Sequence, residues 1–139
     1  MTRVLWLSPS NIHPEPIIQG LRELNRCELT IVWYETYGLA HVDGGVRDMV
    51  DAMRPDIVIY TGQNGGTYPS TDTLCRIKQV CPTVLIVHDG SDTTWKRLLH
   101  EYRERDAFSC IVNIDGNPDW EHGERDITAL TPTAQGFYA

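Results

Sequence analysis

The chain has 139 residues and a mass of 15.8 kDa, 41% of it hydrophobic and 22% charged, which suits one globular domain and is too short for two. Nineteen Asp and Glu against twelve Lys and Arg leave a net charge of −7, which repels phosphate backbones and anionic lipid and argues against a general nucleic-acid or membrane-surface binder. The opening MTRVLWLSPSNIHPEP is too poor in apolar residues for a signal peptide, and no apolar run reaches membrane-spanning length, so a cytoplasmic chain with no nucleic-acid and no membrane partner is expected.

The chain alternates strand-like apolar runs with amphipathic stretches of helical length. Val4 to Leu7 reads as a first strand, stopped by Ser8-Pro9-Ser10. Pro16 suits a first helical turn, and Ile17, Ile18, Leu21 and Leu24 follow at helical spacing. Leu29, Ile31, Val32 and Trp33 form a second strand. After a glycine-containing loop, Val46, Met49, Val50 and Met53 mark a helix from Gly45 to Met53 that Arg54-Pro55 ends. Asp56 to Tyr60 is a third strand, apolar after its first residue, as in a parallel sheet covered on both faces.

Ser70 is the expected N-cap of a helix carrying Leu74, Ile77 and Val80. Thr83 to Val87 is the clearest buried strand. A helix from Thr93 to Arg105 places Trp95, Leu98, Leu99 and Tyr102 on one side, and Phe108 to Ile114 gives a fifth strand. Ile127 to Leu130 is a brief last strand in a turn-rich end segment. Cys27, Cys75, Cys81 and Cys110 lack CxxC spacing and read as structural free thiols. The alternation predicts a single α/β domain over residues 1–139: a Rossmann-like three-layer sandwich, with a mostly parallel sheet of five or six strands and helices on both faces.

Ligands of such sheets sit beyond the C-terminal strand ends, which selects four loops: Ser8 to His13, Thr61 to Thr67, His88 to Asp92, and Asp115 to His122. His88, Asp89 and Asp92 directly follow the most apolar strand, whose rigidity suits acid, base or hydroxyl-binding groups. The plainer reading is a strand-end histidine and an Asp92 N-cap. His13, near Asn11 and Glu15, is a second base candidate or a solvated loop histidine. Gly62-Gln-Asn-Gly-Gly66 fits no phosphate-binding fingerprint and carries no cation, so it reads as a turn. Asp115, Asp119 and His122 match no metal-ligand spacing, and His100-Glu101 lacks the second histidine of HExxH, so no metal is expected. Trp120, beside charges, is a candidate for exposed stacking.

VLIVHDGSD followed by TW and a helix, then IVNIDGN, then DITALTP resemble the N-terminal half of GT-B-type glycosyltransferases, particularly the spore-maturation-protein or CgeB-like group, from RVLWLSP to ALTPTAQGFY. The resemblance implies one half of a cleft enzyme that takes a sugar from a nucleotide sugar, this half facing a hydroxyl-bearing acceptor and holding no cofactor of its own. His88 and Asp89 match a histidine–aspartate pair that faces the interdomain cleft, and His13 matches a first-loop position that carries a general base. Asn11, Asp92, Asp115 and Asn117 complete the expected substrate-binding rim.

Nothing in 139 residues supplies a donor pocket. The expected partner is therefore a missing C-terminal donor-binding domain or subunit, the isolated chain is expected to be inactive, and self-association would cover its interdomain face. The alternative is a non-catalytic Rossmann-like or flavodoxin-like ligand-binding or protein-interaction module, favoured by the missing glycine fingerprint and missing second domain. A phosphoacceptor receiver domain has this size and alternation but needs an acidic pair after strand one and an Asp after strand three, where Ser8-Pro9-Ser10 and Thr61-Gly62 stand; it is set aside.

Overall fold

In the computed structural model of the chain, the described residues are 1–9, 26–62, 66–87, 93–113 and 126–128. They comprise β1 (Thr2–Ser8), β2 (Cys27–Trp33), a 3-10 turn (Tyr34–Tyr37), α1 (Val42–Met53), β3 (Ile57–Thr61), α2 (Thr71–Val80), β4 (Thr83–Val87), α3 (Thr93–Glu104), β5 (Cys110–Asn113) and β6 (Asp126–Thr128). The segments expected as the Ile17–Leu24 helix and as most of the end region lie outside them. None of the described helices is long and apolar enough to cross a membrane.

The strands form one six-stranded sheet in the order β2-β1-β3-β4-β5-β6, and every pair is parallel. The chain moves one way across the sheet from β1 to β2, then returns past β1 and continues the other way. This is the flavodoxin-like order, in contrast to the 3-2-1-4-5-6 order of dinucleotide-binding sheets. It answers the expected layered α/β class and sharpens its topology.

Strand alternation sends Leu5, Leu7, Val58, Tyr60, Leu85, Val87 and Ile111 to one face, where they pack with Val42, Val46 and Val50 of α1, Leu74 and Ile77 of α2, and Leu99 and Tyr102 of α3. The crossovers carrying these three helices all travel in one direction, so right-handed connection puts the helices on one face. On the opposite face Trp6 and Ile86 are buried, with Leu29, Ile31, Ile59 and Val112 half-buried around them. Each fully buried side chain of this size stabilises the fold by roughly 1.5–3 kcal/mol.

The helix boundaries depart from expectation where packing overrides local signals. α1 begins at Val42, before the glycines, because Val42, Val46 and Val50 continue one buried stripe. Gly45 sits inside that helix because the Tyr37 ring lies against it; a Cβ there would collide with the ring. α2 is capped as expected, Ser70 Oγ accepting from Thr73 N–H at 3.3 Å, while Ser70 N–H donates to Asp43 Oδ1 at 2.7 Å and so ties the starts of α1 and α2 together. Val80, expected on the apolar stripe, is 65% exposed, and Cys81 is buried in its place.

α3 ends with Asp106 in the left-handed region (φ 51), its N–H donating to Arg103 O and the next N–H, of Ala107, to Tyr102 O. Lys78 bridges to Asp106 at 2.8 Å and Arg105 pairs with Asp72, which clips this turn to α2. Cys27, Cys75, Cys81 and Cys110 form no disulfide with one another, in keeping with their spacing.

Candidate functional site

The direction of travel across the sheet reverses between β1 and β3, and in such sheets the crevice for ligands opens beyond the C-terminal ends of those two strands. The described residues there are Ser8, which ends β1, and Pro9; Thr61, which ends β3, and Gly62; and Trp33, which ends β2, and Tyr34. Because β4 and β5 are parallel to these strands, Val87 and Asn113 end on the same edge. The four loops selected from the sequence thus leave from one side of the molecule.

Thr61 is the hub of this edge. It is fully buried, as is Ser8. Its Oγ1 accepts from Trp6 Nε1–H at 2.8 Å, and its carbonyl accepts from the Tyr34 hydroxyl at 2.9 Å. Register makes the first bond: Trp6 lies opposite Ile59 on β3, so Trp6 and Thr61 share one face two residues apart along the strand. Tyr34 reaches Thr61 from the opposite face of the sheet, from the turn that closes β2. Ser8 Oγ donates to Pro9 O at 3.2 Å. The hydroxyls at the switch point are therefore engaged within the fold.

Beneath Thr61 the aromatic rings form a chain. Tyr34 and Tyr60 have centroids 5.5 Å apart, Tyr60 stacks on Phe108 at 5.8 Å, and Tyr102 meets Phe108 edge-on at 5.2 Å. Burial holds all three phenols protonated far above the ordinary tyrosine range; at Tyr34 and Tyr102 the neighbouring Tyr60 hydroxyl opposes that shift without overcoming it. At Tyr60 burial is the main cause, and the two neighbouring phenols add to the upward shift. A phenol held neutral in this way positions and fills; it does not exchange protons near neutral pH.

The described strand ends present buried neutral hydroxyls and no carboxylate, and no cluster of three His, Cys, Asp or Glu suited to a metal ion occurs among the described residues. His88, Asp89, His13, Asn11, Asp92, Asp115 and Asn117, singled out from the sequence, all lie outside the described residues, as do Trp120 and His122. What the sequence reading missed is the pairing of Trp6 with Thr61 and of Tyr34 with Thr61. These contacts span 55 and 27 residues and have no local signature.

Neither a protein-family description nor any curated protein matches the chain. Among solved structures it is similar to the signal receiver domain of an HD domain-containing protein from Pseudomonas fluorescens Pf-5, with a TM-score of 0.52 and 16% identity, over 87% of this chain and 86% of that one. Likeness at that identity concerns the fold. It corrects the resemblance to a GT-B glycosyltransferase half: the matching architecture is receiver-like and of nearly the same length, so transferase chemistry on a nucleotide sugar loses its basis. The short strings behind that resemblance owe much to strand residues, those of Thr83–Val87 and Cys110–Asn113, which any parallel α/β sheet needs. The receiver architecture, set aside from the sequence for want of acidic residues, is similar to this chain as a fold, and Ser8 and Thr61 are the residues that end β1 and β3.

Proposed function

We propose that the chain is a non-catalytic protein-interaction module on a receiver-like fold, one that takes up no phosphoryl group at the ends of β1 and β3. The observation that carries this reading is Thr61. Its hydroxyl and its carbonyl are both committed to buried aromatic donors, Trp6 and Tyr34, at the position where a phosphoacceptor would have to face solvent. A buried hydroxyl already accepting an indole N–H is neither exposed nor ionisable enough to attack a phosphorus centre. Ser8, equally buried, supplies no charge to hold a cation.

The test is incubation of the purified chain with acetyl phosphate and Mg²⁺, followed by intact mass measurement. An unchanged mass is expected. A stoichiometric phosphoryl adduct overturns the reading. In parallel, thermal shift against nucleotides and nucleotide sugars is expected to be flat, and a clear shift with one of them replaces protein interaction with ligand binding as the module's task.

A further inference from the structure

We draw no further inference here: the strongest candidate, the buried cluster of the Tyr34, Tyr60 and Tyr102 side chains beneath the end of β3, belongs to the site already described, where the Tyr34 hydroxyl donates to the Thr61 carbonyl.

Discussion

β3 and β2 are written in nearly the same residues, Ile-Val-Ile-Tyr-Thr over Ile57–Thr61 against Leu29, Thr30, Ile31, Val32 and Trp33, yet they live in different surroundings. β3 has a strand on either side, and Val58, Tyr60 and Thr61 are buried; β2 has only β1, and none of its residues is fully buried. Each strand ends in a polar-capable residue. Thr61 is fully enclosed and bonded to two aromatic side chains, while Trp33 is 44% exposed. Composition made both strands, and position in the sheet decided which became core. An edge strand with central-strand composition keeps backbone groups that its one neighbouring strand does not use.

The largest expected effect concerns the ground beneath β3. The phenols of Tyr34, Tyr60 and Tyr102 are pushed well above the ordinary value of 10.0 by burial. The unfolded chain gives up these protons as pH passes 10 while the folded chain keeps them, so stability is whole below pH 10 and falls above it, by about 1.4 kcal/mol per phenol per pH unit. Urea midpoints measured against pH should drop steeply there, with tyrosinate absorbance from these residues appearing only as the chain unfolds. Early ionisation of all six tyrosines in a chain still folded at about pH 11 would show the aromatic chain to be open to water.

Trp6→Ala, which empties the space of a fully buried indole and removes its bond to Thr61, should cost about 3–5 kcal/mol. Ile31→Ala on β2 should cost less than half as much. Equal losses in chemical denaturation would erase the distinction between centre and edge. Thr61→Val keeps the shape but leaves the Trp6 indole N–H without its acceptor, for an expected loss of about 1–3 kcal/mol; a change below ~0.5 kcal/mol would mean the bond does not hold the strand ends together.

Amide exchange draws the same line residue by residue. The Ile59 N–H, in the sheet centre, should exchange only with global unfolding, whereas those of Leu29 and Ile31, on the outermost strand, should exchange faster. The smallest effect lies outside both strands. Arg54 ends α1 at φ 49 with its N–H on Val50 O, a left-handed position that Gly occupies without strain, so Arg54→Gly should stabilise by about 0.5–1 kcal/mol. A loss of thermal stability would mean the arginine side chain contributes more than its backbone costs.

How much was legible depended on how far apart in sequence the determining groups stand. The strands at Val4–Leu7 and Thr83–Val87 and the Ser70 cap were readable because apolar runs and N-caps are local. α1 was read three residues short because Gly44 and Gly45 look like a loop, and only the Tyr37 ring packed on Gly45 explains a glycine inside that helix. The glycosyltransferase resemblance failed for a related reason: the apolar part of a string such as VLIVHDGSD is β4, and a buried strand of that kind belongs to every parallel α/β sheet.

From its sequence alone the chain reads as an alternating α/β fold, and Ser8 and Thr61 are the residues that stand where two strands end. Strand order was settled only in three dimensions, because hydrophobic periodicity states that a strand is buried without stating beside which neighbour. With the order β2-β1-β3-β4-β5-β6 came the switch point between β1 and β3, the bonds that enclose Thr61, and the outermost place of β2 among the described strands. Each of these arises from contacts between segments tens of residues apart, whose energies enter only when the sheet closes.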